Sequence, residues 1–547
     1  MKKDYRLKIV VLIFFLIFLG ITFRLYQLQI KEGKFWKLKA SLQVKATKKL
    51  KPIWRGDIFI HQKENLIPVA ISKEFFACFV VPKEIKEKEK TAKSLKEIFP
   101  EIEYEEILKK VKKGNDPYEL IKRKLSQEEI EKIKDLNLKG VYLEKKIERY
   151  YPFSNLLSHT LGFVSLDENG KWKGRYGIEA YYEKELSSGK DLILSIEKDI
   201  QEKSYTFLKN LVKEQKAESG QIIIIEPKTG KILSMVSLPD FDPNYYFKFP
   251  VKNFLNPCHQ AIYEPGSVMK VITIASSLDS KKISLEDKYY DNGEVRIKDR
   301  VIKNWDKKGY GNIGVKEILE HSINTGAVWV ARTLGKDLFL DYFKKFGFDK
   351  KTGIDLPGEI KGSLKQVENG GEVSLATASF GQGISVTPIQ LISAISSIAN
   401  KGKIMKPYLV EKIIFPDGKT KENFSKVISN PISKETAKTM TKLLVNAVEK
   451  NILGRVKGYQ LAGKTGTAQI PFKGKYLDEY IHSYVGFGPA EDPKFIILIK
   501  LDKPKKDDLS GFTVVPVFRE LARFLLNYYN IPPTTMRGGK WEVGGER

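Results

Sequence analysis

The chain opens on an apolar run from Ile9 to Phe23, softened only at Gly20 and Thr22. Lys2, Lys3, Arg6 and Lys8 precede it and Arg24 follows it. An arginine at the end of such a run can snorkel, which lets the apolar segment continue through Leu28 and reach about 20 residues, the length of a membrane span. A cleavable leader needs small residues after its apolar core, whereas Phe23-Arg24-Leu25-Tyr26-Gln27 is bulky. The pattern therefore predicts a retained single-pass anchor over 9–28. The basic flank keeps residues 1–8 in the cytoplasm and puts the rest of the chain outside, at the cell membrane.

Beyond the anchor the periodicity changes repeatedly. Residues 30–50 read as a basic amphipathic continuation of the anchor helix. Ile58-Phe59-Ile60 and Phe75 to Val81 are short β-like runs, and Lys83 to Leu136 is charged and mostly helical, with Pro100 between two helices. Ser187-Ser188-Gly189-Lys190 is a turn signal. It is followed by a strand over Leu192–Ile196 and a helix from Asp199. Gln221–Glu226 and Lys231–Val236 form a hairpin around Pro227-Lys228-Thr229-Gly230. Helical patterns follow Ser267, Val315 and Pro388. Strands are predicted at Lys464–Gln469, Tyr484–Phe487 and Phe495–Leu501, and a closing helix at Phe518–Tyr529. The spans are then a mixed α/β pedestal over 29–189, a second domain over 190–530 and a disordered tail over 531–547. Strands, helices, strands and a helix in that order make the second domain α+β, an antiparallel sheet flanked by helices.

Composition narrows the function classes. The 547 residues are 42% hydrophobic and 29% charged, which suits globular domains. The net charge of +27 comes from lysines interleaved with glutamates. No compact arginine block, zinc spacing or RNA-binding aromatic signature accompanies it, so a lysine-rich surface is favoured over a nucleic-acid partner. Cys78 and Cys258 stand far apart with no CxxC partner, which argues against a zinc site or disulfide framework.

Three polar constellations remain. In Pro265-Gly266-Ser267-Val268-Met269-Lys270, Lys270 lies one helical turn after Ser267, where a desolvated amine can act as its base. Taken alone, Ser267 also fits a helix N-cap, and Ser187–Lys190 and Ser195–Lys198 share the spacing. Ser322-Ile323-Asn324 puts a hydroxyl and an amide one residue apart, in reach of one cleft or, equally, of a helix cap. Lys-Thr-Gly occurs at Lys228, Lys351 and Lys464. Only the third, Gly463-Lys464-Thr465-Gly466-Thr467, has strand character. There Lys464, Thr465 and Thr467 can bind a carboxylate, and the missing side chain at Gly466 leaves room for an acyl group.

Ser-x-x-Lys, Ser-x-Asn and Lys-Thr-Gly-Thr in that order resemble the class B penicillin-binding proteins, and among them the septal, division type. Tyr263-Glu264-Pro265-Gly266-Ser267, Ser379 to Pro388, Leu238 to Asn244 and Asp355-Leu356-Pro357-Gly358-Glu359 look like that family's segments. Arg55-Gly56, Arg149-x-Tyr151-Pro152 and Gly174-x-x-Gly177-x-Glu179 look like its pedestal motifs. The resemblance implies a penicillin-binding-protein/β-lactamase-like catalytic fold and D,D-transpeptidation of peptidoglycan stem peptides through an acyl-enzyme on Ser267. It makes Lys270 the base and gives proton handling to Ser322 and Lys464, with Asn324 holding a substrate amide. It implies binding of β-lactams, and partnership with a SEDS-type glycosyltransferase and other division proteins. It calls for no metal or cofactor, and it expects Arg55, Gly56, Arg149, Pro152, Gly177 and Glu179 to tie the pedestal to the catalytic domain. A related hydrolase (a carboxypeptidase or β-lactamase, neither of which needs so long an anchor and pedestal), an elongation-type transpeptidase and a non-catalytic division scaffold are the alternatives. Two departures stand out: His61-Gln62-Lys63-Glu64-Asn65 replaces the usual Asp-Arg-Asn-Gly, and Ile323 replaces Ser or Asp. His259, His321 and His482 match no catalytic position and are read as structural or surface residues.

Overall fold

The computed structural model describes residues 3–27, 54–114, 116–472 and 475–534. The expected amphipathic continuation and most of the expected tail lie outside the described residues. A helix, α1 (Lys3–Tyr26), covers most of the expected anchor. Among the described residues no helix is long and apolar enough to cross a membrane, so the anchor is not shown here.

The chain forms two compact units, Met1–Trp54 with Ser72–Tyr150, and Arg55–Ile71 with Tyr151–Arg547. Strands β1 (Ile58–Gln62) and β2 (Asn65–Val80) are the first strands among the described residues. In the first unit the distal half of β2 pairs with β3 (Glu119–Lys122) and β4 (Val141–Tyr150). Helices α2 (Lys88–Ile98), α3 (Tyr104–Val111) and α4 (Gln127–Leu136) bury Leu95, Ile98, Ile107, Val111, Ile130 and Ile133 in its core. Pro100 lies between α2 and α3, as the pattern predicts. Ser126 and Glu129 close a capping box that starts α4.

In the second unit β5 (Asp191–Glu197) runs parallel to β1, pairing Ile58 with Leu192. This long-range pairing gathers the chain around Arg55–Ile71 into the second unit. Residues 151–189, expected within the pedestal, belong to that unit too. Next come α5 (Lys198–Glu214), β6 (Ser219–Ile225) and β7 (Ile232–Leu238). After helix α6 (Met269–Asp279) stand α7 (Val315–Glu320), α8 (Asn324–Leu334) and α9 (Pro388–Ala399). Helix α10 (Lys434–Lys450) leads to β9 (Ala462–Phe472), β10 (Lys475–Gly488) and β11 (Phe495–Asp502), with β8 (Val410–Ile414) joining β5 earlier. Helix α11 (Ser510–Tyr528) closes the unit.

The principal sheet is five-stranded and antiparallel, in the order β9-β10-β11-β6-β7, so strands from both ends of the domain meet. Strand β9 is its edge. Every residue of α9, and all of α6 from Met269 to Ser277, is buried. A helix hidden on all sides reads as continuously apolar rather than amphipathic, which is how Val271, Ile272, Ile274 and Ala275 look in sequence. That burial places Lys270, on the same helix, out of water.

Candidate active site

Ser267 sits in a single 3-10 turn, Gly266–Val268, that leads into α6. The turn is pressed between two segments. Gly266 has φ +59°, and a Cβ there would meet Thr467 O of β9 at 2.8 Å. On the other side Gly266 N donates to Gly381 O at 3.2 Å, and a Cβ on Gly381 would meet Gly266 O at 2.2 Å. Glycines are required at both places because backbone approaches backbone too closely for a side chain. Ser267 is half-buried, and its side chain has no hydrogen-bond partner among the described residues. It opens on a cleft of about 1310 Å³ shared with Ser322, Asn324, Thr465 and Thr467.

Lys270 lies one turn further on and is fully buried. Its Nζ donates to Ser322 O at 2.5 Å, Ser322 Oγ at 3.1 Å and Asn324 Oδ1 at 2.8 Å. Burial, with the charge of Lys464 nearby, holds the Lys270 ammonium well below the usual lysine range. Ser322 reaches this position from a left-handed backbone, φ +56°, at the end of α7. Its oxygens then face α6, and Asn324 opens α8.

Lys464 comes from the opposite wall. Its Nζ donates to Ser322 Oγ at 3.0 Å, Thr465 O at 3.1 Å and Thr465 Oγ1 at 3.2 Å. Burial pushes its pKa down to about 7. Ser322 Oγ thus stands within hydrogen-bond reach of both lysines. A hydroxyl can donate one proton and accept others, so it can pass a proton between them.

Strand β9 sorts its side chains by alternation. Thr465, Thr467 and Gln469 line the cleft, and Thr467 Oγ1 donates to Ser510 Oγ at 3.0 Å, at the start of α11. Gly466 faces the other way. A Cβ there would meet Ser483 Oγ at 2.4 Å, Pro265 O at 2.8 Å and Val268 Cγ2 at 2.9 Å. The expectation that Gly466 leaves room for an acyl group is corrected: its bare Cα lets the sheet pack against the turn that carries Ser267.

The competing motifs stand apart from this cleft. Lys228 pairs with Asp492 on the surface. Thr352 and Gly353 are tied by Glu359, whose carboxylate accepts from Thr352 N at 2.6 Å and Gly353 N at 3.0 Å. Ser195 Oγ donates to Ile232 O at 2.9 Å, a bond internal to the fold. His259 and His482 are buried and bonded to backbone carbonyls of Pro357 and Asp508, at 3.0 and 3.1 Å. His321 packs its ring on Tyr310 at the mouth of the cleft. Among the described residues no acidic, histidine or cysteine cluster is arranged to hold a metal.

The residues expected to form the pedestal motif gather mostly within the second unit. Arg55 Nε donates to Glu179 Oε2 at 2.6 Å, and Arg55 Nη2 donates to Glu179 O and Glu183 Oε2, each at 2.8 Å. Burial works against the charge, but Glu179 and Glu183 outweigh it and raise the Arg55 pKa above the usual range. Tyr151 OH donates to Glu179 Oε1 at 3.2 Å. A Cβ on Gly56 would meet Lys190 O at 1.8 Å, and Gly177, at φ +56°, packs its Cα on Gly162. Pro152 is half-buried in the turn after β4. Arg149 is buried in the first unit, where its carbonyl accepts from Lys124 Nζ at 3.0 Å.

An antiparallel sheet whose edge strand packs on the turn that carries a serine, with a buried lysine one turn further on, defines the fold of the penicillin-interacting serine enzymes. Known proteins sharpen this. A family model of the penicillin binding protein transpeptidase domain matches residues 220–523, and one of the penicillin-binding protein dimerisation domain matches 52–223. Stage V sporulation protein D of Bacillus subtilis is 35% identical over 518 residues, covering 88% of this chain and 79% of that protein. The peptidoglycan D,D-transpeptidase FtsI of Escherichia coli is 28% identical over 448 residues, covering 76% and 73%. Penicillin binding protein 3 of Mycobacterium tuberculosis, solved in complex with aztreonam, aligns with a TM-score of 0.66 and 26% identity over 71% of this chain and 92% of that one. A peptidoglycan synthetase from Bifidobacterium adolescentis shares the fold, with a TM-score of 0.69 and 24% identity over 90% and 97%. The chain belongs to the class B penicillin-binding proteins.

Proposed function

We propose that the protein is a peptidoglycan D,D-transpeptidase, with Ser267 as nucleophile. The observation that carries this reading is the placement of Ser322 Oγ between two buried lysines, 3.1 Å from Lys270 and 3.0 Å from Lys464, beside Ser267. Lys270 in its neutral form takes the proton as Ser267 Oγ attacks the penultimate D-alanyl carbonyl of a stem peptide. The tetrahedral intermediate puts its oxyanion on the backbone N–H groups of Ser267 and Thr467, each such donor contributing about 3 kcal/mol in comparable sites. The C–N bond then breaks. Ser322 delivers a proton to the departing D-alanine amine and is reprotonated from the lysine pair. The acceptor amine of a second stem enters, the same relay takes its proton in reverse, and the Ser267 ester is exchanged for the cross-linking amide. Lys464, Thr465 and Thr467 bind the terminal carboxylate. The free side of edge strand β9 suits an extended peptide, which can add to the sheet through main-chain hydrogen bonds. Asn324 holds a substrate amide through its remaining N–H. The scheme uses no cofactor, and a β-lactam enters it as a donor mimic. Incubation of the protein with a stem peptide ending in D-Ala-D-Ala and an acceptor amine tests the reading. Cross-linked product with release of one D-alanine supports it; hydrolysed peptide alone points to a carboxypeptidase.

The role of the enzyme is septal wall synthesis. Ser322-Ile323-Asn324 and the segments around Ser267 and Gly381, which resemble those of the division type, favour that role. Depletion that gives filaments supports it, and rounded cells point to elongation. A second role, in sporulation, is favoured by the 35% identity to stage V sporulation protein D. Normal division with failed sporulation in a deletion strain selects it. The apolar run over 9–28, with the basic residues before it, anchors the chain in the cell membrane with the catalytic unit outside. Its Leu12, Phe14 to Leu19, Ile21 and Phe23 side chains are exposed, as lipid-facing residues are. Glycan strands come from a SEDS-type glycosyltransferase partner.

A further inference from the structure

The Ser-x-Asn corner is held by residues that belong to none of the motifs. The first N–H groups of any helix lack acceptors within it. In α8 the local cap position is Ile323, which has no acceptor side chain. Asn324 N and Thr325 N instead donate to Asn304 Oδ1, at 3.0 and 3.2 Å, from a turn upstream in the chain. Asn304 Nδ2 in turn donates to Asp291 Oδ2 and Lys308 O, both at 2.9 Å. Asp291 also accepts from Thr325 Oγ1 at 2.6 Å, Gly293 N at 2.9 Å and Tyr310 N at 3.1 Å. Donors on one side and acceptors on the other fix the Asn304 amide one way round. Asp291, Asn304 and Thr325 are at most 2% exposed, so water does not compete for these bonds.

The neighbours of Asn304 brace the same corner. Lys303 O accepts from Asn324 Nδ2 at 3.0 Å, and Trp305 Nε1 donates to His321 O at 3.2 Å. With its Nδ2 bound to Lys303, Asn324 must turn Oδ1 toward Lys270 Nζ, 2.8 Å away. Ser322 lies between the two braced residues, at φ +56°, a conformation an L-residue keeps only when its surroundings hold it.

We infer that Asn304, held by Asp291, is a positioning residue for the transpeptidase reaction: it sets the start of α8 so that Ser322 and Asn324 meet Lys270. The inference rests on the transpeptidase reading above. Asn304 touches no reacting atom and acts through the corner.

Acylation of the full chain by a fluorescent penicillin separates these ideas. The final stoichiometry reports the folded fraction with a competent Ser267, and the rate constant reports positioning. Asn304→Ala is expected to reach full stoichiometry with a rate constant lower by about ten-fold or more. Asn304→Asp alone sets two carboxylates together and is expected to be slow as well. The double variant Asp291→Asn/Asn304→Asp restores a donor facing an acceptor, losing only the bonds to Lys308 O and Tyr310 N, and is expected to recover most of the rate. Wild-type speed in Asn304→Ala overturns the inference, and so does a double variant no faster than Asn304→Asp. If the single variants do not fold, the double variant alone decides: fast labelling supports the inference, and failure to fold makes the network a folding element and overturns it. Wild-type protein that takes no label sinks the transpeptidase reading instead.

Discussion

Lys464 Nζ donates to Ser322 Oγ across 3.0 Å, joining residues 142 positions apart in the chain. Removing the hydroxyl leaves each lysine short of one acceptor and cuts the path between them. Ser322→Ala is expected to slow acylation by a labelled penicillin about 10²–10³-fold, the range of a positioned acid–base group. The amount of label at completion should match wild type. An unchanged rate would take Ser322 out of the proton path.

The two lysines act against stability. A lysine pKa lowered on folding means that the unfolded chain binds more protons between the folded and unfolded values, so stability rises with pH across that window. For Lys464 the window runs from about 7 up toward the ordinary lysine value. Lys464→Met is therefore expected to raise the melting temperature most at pH 6, by an amount worth about 1 kcal/mol or more, while removing activity. The gain should shrink as pH rises through 7 to 10. Thermal scans at pH 6 and pH 9 check both the sign and the trend.

Gly381→Ala puts a Cβ against Gly266 O, where 2.2 Å separates them, at a φ of +83°. Gly266 is the residue before Ser267, so the clash is passed to the nucleophile. The substitution is expected to cost about 2 kcal/mol or more and to slow acylation beyond what the lost folded fraction explains. Urea melts combined with acylation rates separate the two effects.

Arg55→Ala breaks the 2.6 Å ion pair to the buried Glu179 Oε2, and it strips Glu183 of its ion pair. Breaking one side of a buried pair typically costs about 3–5 kcal/mol. The protein should lose that much in equilibrium unfolding, while the folded fraction acylates normally. Loss of acylation without loss of stability would assign Arg55 a different role.

Much of this was legible in the chain. The β-like runs over 221–226 and 231–236 around Pro227–Gly230 marked the β6–β7 hairpin, and the Pro-Gly turn before an apolar helical run placed Ser267 and Lys270. Four features were not legible, each for a physical reason. Which face of β9 Gly466 takes depends on what packs beneath the sheet, and that comes from Pro265 and Val268, far away in sequence. The parallel pairing of β1 with β5 brings Asp57 to Asp191 across 134 residues, and no local pattern encodes so distant a partner. Asn304 and Asp291 lie among short strands and turns without periodicity, where an Asn and an Asp read as ordinary turn residues. Ser510, the partner of Thr467, was hidden in the same way, because the apolar pattern of α11 becomes clear only after its first turn.

The whole reaction scheme stands on an acyl-enzyme formed at Ser267. Mass spectrometry of the full chain after reaction with penicillin, with and without Ser267→Ala, tests it most directly. One adduct per chain is expected, on the peptide containing Ser267, persisting for much longer than the time needed to form it. The folded Ser267→Ala protein is expected to carry none. An adduct on another residue, or equal labelling of the variant, would contradict the scheme.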